Sequence, residues 1–371
     1  MRHRLFQPVH FSRRGQVAVL SIVVTLVVLA VCLLLPVPFV KLSPGPTFNV
    51  IGTDDGQPVI AISGTTVYPT TGELDMTTVS ELGGPRGGLT VFDALVSWFN
   101  PTTAVLPTRL LFPENMTAAQ NKQRQDLMFS TSQSDAIAAA LTFVGKPVST
   151  RLVVTTVYGD SPSDGLLLPK DEIVSVDGVA MKEPKQVAEA IRAKPIGTTF
   201  DLVIRRDGVQ QDGTLKDGVE QHVSVTSKAS PDDPKRPYIG IGVGYYSTGG
   251  FPIDFTLQDV GGPSAGMMFA LGIVDKLTPG DLAKGRHIAG TGTIAADGSV
   301  GAIGGIRQKL AGARRSGAEL FLMPKVHCDE AAGHIPDGLT VVPIASLTDS
   351  VHAVEDWTAG KPVASCPAQH S

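Results

Sequence analysis

Two residues in this chain have types and neighbours that suit nucleophilic chemistry. The first is Ser264, in the run Gly261-Gly262-Pro263-Ser264-Ala265-Gly266. The stretch behind it, Met267 to Val274, carries no charge and no polar side chain. Such a run reads as a buried helix, with a buried strand as the competing reading. Pro263 suits a first helical position, which puts Ser264 in the first turn. Backbone N–H groups there lack partners within the helix, and the positive dipole end favours a developing oxyanion. Gly262 and Ala265 leave the hydroxyl room to meet a substrate. The plain alternative is a helix-start serine between turn glycines.

The second residue is Lys309. It follows Gly301-Ala302-Ile303-Gly304-Gly305 in the run Ile306 to Arg315. Ile306, Leu310 and Ala313 fall at i, i+4 and i+7 and share one helix face. Lys309 sits on that face, while Arg307, Gln308, Arg314 and Arg315 lie mostly elsewhere. A lysine on a core-facing stripe near a helix N-terminus loses hydration and meets an unfavourable dipole, so its pKa falls. To be neutral at pH 7 it must drop ~2–3 units from ~10.4, a cost of ~3–4 kcal/mol that burial can supply. A neutral lysine can serve a serine hydroxyl as general base. The plain alternative is a lysine whose head reaches water along an apolar helix.

Gly262-Pro263-Ser264-Ala265-Gly266, Thr291-Gly292-Thr293-Ile294, Ile303 to Leu310 and Gly317 to Lys325 occur in that order. Together they resemble the proteolytic domain of Lon-type serine proteases over roughly Tyr238 to Trp357. The resemblance implies Ser264 as nucleophile, Lys309 as its base and Thr291 as the residue orienting the lysine. It also implies assembly of the proteolytic domains into a ring. One position departs from the family pattern: an acidic residue usually precedes the Gly-Pro-Ser, and here Gly261 does, with Asp259 two residues earlier.

The elements that must position these residues follow from the rest of the chain. Its 371 residues leave room for two or three domains and a non-domain segment. A net charge of −4 gives no reason to expect nucleic acid as a partner. Met1 to Gln16 is basic (Arg2, Arg4, Arg13, Arg14) and Val17 to Val40 has no charged residue. That exceeds the ~20 residues needed to span a bilayer. The exit, Pro36 to Lys41, is a poor cleavage site, and the sequence around Cys32 is a poor lipoprotein signal. An uncleaved anchor is therefore expected, residues 17–40, with residues 1–16 in the cytoplasm and everything after Lys41 outside the cell membrane.

Residues 41–147 read as a region of mixed strand and helix. Val59 to Ile62, Thr65 to Tyr68 and Gly72 to Val79 suggest strands. Val91 to Phe99 and Asp126 to Phe143 suggest helices, with Pro101 to Asn121 loop-like between them. Leu152 to Val157, Leu166 to Gly178 and Phe200 to Gly208 read as strands, and Glu183 to Ala193 as an amphipathic helix. With Gly159-Asp160-Ser161-Pro162 and Asp171-Glu172-Ile173-Val174-Ser175-Val176-Asp177-Gly178, this order resembles a PDZ domain over residues 148–228. The resemblance implies a peptide groove walled by the strand of Leu152 and Val154 and the helix of Val187 and Ile191. A small packing domain without a peptide ligand is the alternative. Ser230 to Arg236 reads as a linker (residues 229–237), Tyr238 to Tyr246 as a strand opening the proteolytic region at 238–357, and residues 358–371 as a loose tail. Arg286 to Thr293 and Ser299 to Ile303 read as a hairpin.

Cys328 and Cys366 would lie in an oxidising compartment, as a pair or as two thiols. No zinc-like Cys/His spacing occurs, so no metal and no cofactor is expected. No Gly-x4-Gly-Lys-Ser/Thr phosphate loop occurs, so ATP is not expected as a partner. The expected fold is an α/β (α+β) Lon-type proteolytic domain with a β-rich PDZ-like domain behind one transmembrane helix. The expected activity is that of a membrane-anchored, ATP-independent serine endopeptidase acting on unfolded or flexible polypeptides. The rival reading is an anchored PDZ scaffold with an inactive Lon-like domain.

Overall fold

The structure is a computed structural model that describes residues 13–84, 88–112, 118–209, 215–231, 233–257 and 260–366. Arg2, Arg4 and Asp259 lie outside the described residues. The chain divides into two compact units. One comprises Met1–Leu42 and Glu81–Phe112, the other Ser43–Ser80 and Pro113–Ser371.

The first unit holds a helix over Arg13–Leu34, whose Gln16–Leu34 stretch has a mean hydropathy of 3.2 and is long and apolar enough to cross a membrane. Phe39 to Leu42 pairs antiparallel with the strand Ala104–Pro107, and a short helix follows at Thr108–Leu111. The expected Pro101 to Asn121 loop is thus partly structured. The pairing that orders it is with residues far away in sequence, which a local reading does not register. A second helix, Val91–Trp98, opens on a capping box formed by Thr90 and Asp93.

In the second unit, Thr340–Ile344, Leu320–Pro324, His287–Gly290 and the strand from Glu73 to Met76 run side by side as parallel neighbours. Leu320–Pro324 is buried at every position. A parallel strand covered on both faces needs such a continuous apolar run. The expected strand at Thr65 to Tyr68 is not formed. His287–Gly290 belongs to the large sheet, so of the expected hairpin only Thr293–Ile294 pairs with Val300–Gly301.

The helix Gly266–Leu277 has no polar side chain before Asp275 and is buried along nearly its whole length, as a helix without a polar face must be. It packs on a long helix, Ala118–Phe143, where Phe129 and Phe269 meet edge to face at 5.7 Å. That long helix starts eight residues before the expected Asp126; its first turns are too polar to show an apolar period.

A separate core lies under an antiparallel sheet ordered Val219–Thr226, Thr199–Arg206, Glu172–Val176, Ser149–Val157 and Ile241–Thr248, with the helix Pro184–Arg192 against it. The strand expected over Tyr238 to Tyr246, at the opening of the proteolytic region, runs over Ile241–Thr248. It pairs with Ser149–Val157 and closes this sheet instead.

The tail is tied down: Cys328 and Cys366 form a disulfide across 38 residues, with their Cα atoms 5.4 Å apart. Cys366→Ser should lower stability by about 2–4 kcal/mol through the freed unfolded chain. The check is the urea midpoint of the oxidised full chain against that of the variant, with no comparable gap when both are reduced.

Candidate active site

Ser264 stands in a turn, with the helix behind it starting at Gly266 and Ala265 as its cap. It is therefore outside the helix rather than in its first turn. The reason is that its backbone is claimed from the side. The Ser264 carbonyl accepts from the Gly292 N–H at 3.0 Å and from the Thr291 hydroxyl at 3.0 Å. The Pro263 carbonyl accepts from the Ser132 hydroxyl at 2.9 Å. Gly262 adopts φ +83°, a conformation that strains any other residue, and its N–H donates to the Gln125 carbonyl at 3.1 Å.

Gly261 is explained by the same neighbour. A Cβ there would lie 2.9 Å from the Gln125 Cβ. The long helix fills the space in which the expected acidic side chain would begin. Gln125 and Ser132 therefore support the serine turn, and nothing in the local sequence pointed to them.

Lys309 lies in the first turn of the helix Ile306–Ser316 and is 2% exposed. Its helix starts from Gly305 at φ +72°, and a Cβ at Gly305 would press on Val79 at 2.8 Å. Gln308, expected to lie away from the core face, is buried as well.

The Lys309 Nζ is 2.8 Å from the Ser264 Oγ, 2.9 Å from the Thr291 Oγ1 and 2.9 Å from the Thr77 carbonyl oxygen. Burial pulls its pKa down to about 7. A neutral amine has two N–H groups and one lone pair. Donating to Thr77 and Thr291 leaves that lone pair facing the Ser264 hydroxyl. Thr291 is itself fixed, because its own hydroxyl donates to the Ser264 carbonyl and its N–H to the Leu322 carbonyl at 3.0 Å. The structure thus brings together Ser264, Lys309 and Thr291, with Gly262 and Ala265 shaping the turn. It adds the Thr77 carbonyl, a backbone group that no residue type announces.

Thr291→Val removes one acceptor from Lys309 and one donor from the Ser264 carbonyl. Misplacement of this kind should lower kcat by roughly 10- to 100-fold with little change in KM. Thr291→Ser should restore most of the rate in a peptide-cleavage assay.

The four residues expected to wall a peptide groove separate. Leu152 and Val154 are buried in the sheet core, on a strand flanked on both sides by other strands. They are not groove walls. Val187 and Ile191 do line a groove of about 980 Å³, and its opposite wall is Ile239, Ile241 and Val243. The strand that occupies the sheet edge comes from far along the chain, so the nearer strand was the wrong choice. Arg124, Lys185, Arg192 and Arg236 also line this groove.

Among the described residues, Glu73, Asp75 and His287 bring ligand-type atoms within 4.8 Å of one another. The His287 Nε2 lies 2.9 Å from Asp75 and 3.1 Å from Glu73, so these side chains already take one another as partners.

A model of the Lon protease (S16) C-terminal proteolytic domain matches residues 257–354, a range containing Ser264, Thr291 and Lys309. A PDZ domain model matches residues 126–216. The chain carries a Lon-type proteolytic domain and a PDZ domain.

The Lon protease of Buchnera aphidicola is 36% identical over 91 residues, covering 24% of this chain and 12% of that one. The Lon protease of Azospirillum brasilense is 30% identical over 210 residues, 54% of this chain and 21% of its own length. The mitochondrial Lon protease homolog of Candida albicans is 38% identical over 90 residues, 22% of this chain and 8% of that one. The chain thus spans about a fifth or less of these relatives. Among solved structures, the PDZ domain of an SdrC-like protein from Listeria innocua is 22% identical, covering 25% of this chain and 92% of that one, with a TM-score of 0.21.

Proposed function

We propose that this chain is a membrane-anchored serine endopeptidase that works without ATP, with Ser264 as nucleophile and Lys309 as general base. The observation that carries this reading is a buried amine, with a pKa of about 7, at 2.8 Å from a serine hydroxyl. The Ser264 Oγ attacks the peptide carbonyl as its proton passes to the Lys309 Nζ. The ammonium, held by Thr77 and Thr291, then gives that proton to the leaving amine, and an acyl-enzyme remains on Ser264. A water enters, loses its proton to Lys309, and releases the acid. The backbone N–H groups of Ser264 and Ala265 have no backbone acceptor among the described residues; they are the candidates to hold the oxyanion.

The groove between Pro184–Arg192 and Ile241–Thr248 would take an extended peptide as an added strand. Its four cationic side chains suit the carboxylate end of such a peptide. Substrates are unfolded or flexible polypeptides, because the sequence has no phosphate loop to drive unfolding. The Arg13–Leu34 helix is the anchor, with its N-terminus in the cytoplasm and the proteolytic domain outside the cell membrane. The Cys328–Cys366 pair suits that oxidising side. A homo-oligomeric ring is part of this reading.

The test incubates the reconstituted full chain and its Lys309→Ala variant with casein, without ATP, and follows new N-termini by mass spectrometry. Cleavage by the unmodified chain alone is the expected result. Equal cleavage by both removes Lys309 from the mechanism. No cleavage by either, even with free C-terminal peptides added, would leave a peptide-binding scaffold instead.

A further inference from the structure

Within the first unit, the helix Val91–Trp98 is amphipathic the wrong way round. Phe92, Leu95, Val96 and Phe99 fall at i, i+3, i+4 and i+7 and share one face. In a water-soluble fold such a face is covered. Here these four side chains are between 47% and 86% exposed, and Trp98 beside them is 80% exposed. The buried residue of the helix is the polar Ser97, at 2%. Asp93, the helix's one charged residue, is occupied in the capping box with Thr90. An outward apolar stripe of this kind marks a surface for a membrane or a protein partner.

The position of the helix favours the membrane. Its first N–H, that of Val91, donates to the Leu35 carbonyl at 3.1 Å, and the Val37 N–H donates to the Leu89 carbonyl at 2.9 Å. Leu35 is the residue that follows the apolar helix Arg13–Leu34. The exposed stripe therefore starts at the end of the one helix among the described residues that is long and apolar enough to cross a membrane.

We propose that Val91–Phe99 lies in the bilayer surface, with Phe92, Leu95, Val96, Trp98 and Phe99 among the lipid acyl chains and headgroups. The inference rests on reading Arg13–Leu34 as a membrane anchor. Tryptophan at the headgroup level and an apolar face sunk about 5–10 Å are the usual features of such interfacial helices. The helix gives the chain a second lipid contact and fixes the depth at which residues 35–42 leave the membrane.

The experiment uses the full chain carrying Trp357→Phe, which leaves Trp98 as its one tryptophan, since the sequence has two. It is reconstituted into phosphatidylcholine and phosphatidylglycerol vesicles, with and without acyl chains brominated near the headgroup. Retention after alkaline carbonate reports the anchor; Trp98 emission reports the helix. The expected result is a retained chain whose Trp98 emission is blue-shifted, lost to bromolipid and protected from acrylamide. Phe92→Ser with Phe99→Ser should reduce that bromolipid loss without releasing the chain. A retained chain whose Trp98 ignores bromolipid overturns the inference and leaves the anchor standing. In that case acrylamide access shows a water-facing helix, and acrylamide protection shows a covering protein. Release by carbonate overturns the anchor reading, and this inference with it.

Discussion

Lys309→Ala should lower the rate of peptide cleavage by roughly 10²–10⁴-fold, the usual range for loss of a general base. The variant should stay folded: the residue is in the first turn of its helix, and alanine is a good helix former. The loss should appear in kcat, because Lys309 reaches the Ser264 Oγ rather than any part of the groove. Ser264→Ala should cost at least as much, and the double variant little more than either one alone, because the two residues act as a unit. Lys309→Arg should not rescue. A guanidinium stays charged and carries no lone pair, and it does not fit a site in which three oxygens converge on one nitrogen at 2.8 to 2.9 Å. Initial rates on an unfolded substrate, with circular dichroism on each variant, separate lost chemistry from lost fold.

The pH dependence is the second large effect, and its sign follows from the Lys309 pKa of about 7. The base works when neutral. Cleavage should therefore fall about tenfold per pH unit below 7 and level off above it.

Stability moves in the same direction for a different reason. In the unfolded chain this lysine titrates near ~10.4. Between about pH 7 and pH 10 the unfolded chain binds the extra proton, so stability rises with pH there. Below about pH 7 both states are charged, and the full cost of burying the charge is present. At 1.36 kcal/mol per pKa unit, the chain should gain about 2–3 kcal/mol between pH 7.5 and 9.5 relative to Lys309→Met, where this titration is gone. Urea midpoints of both proteins at the two pH values measure the difference. A Lys309 with an ordinary pKa would give no such gap.

Side-chain type and helical spacing marked the two residues as candidates, and the resemblance to Lon-type proteolytic domains paired them. An uncharged run after a Gly-Pro-Ser and a lysine on an apolar stripe both follow from local sequence, and the two side chains do meet. The Thr77 carbonyl was not legible, since a backbone acceptor leaves no mark on residue type. Gln125 and Ser132 were missed because their contacts with the serine turn span more than a hundred residues. They also sit in a helix half too polar to reveal a core face. Ser264 was placed one turn too deep because the Ser264 carbonyl binds Gly292 and Thr291 sideways and so stays out of the helical ladder.

The groove shows the same limit at the scale of topology. The amphipathic period put Val187 and Ile191 on one helix face, and the resemblance to a PDZ domain made that face a groove wall. The facing strand was misassigned because Ile241–Thr248, distant in sequence, takes the sheet edge. The stripe of Phe92, Leu95, Val96 and Phe99 was legible as a helix from sequence, but its outward direction was not. Periodicity reports that one face is apolar and leaves open what that face meets.

The most direct measurement is covalent. The full chain is treated with a peptidyl phosphonate ester at pH 8, and the adduct is located by peptide mapping and mass spectrometry. The account requires one adduct, on the Ser264 Oγ, forming at a rate that falls with pH below about 7 and that is lost in Lys309→Ala. An adduct on another residue, or equal labelling of Ser264 in the presence and absence of Lys309, would contradict it.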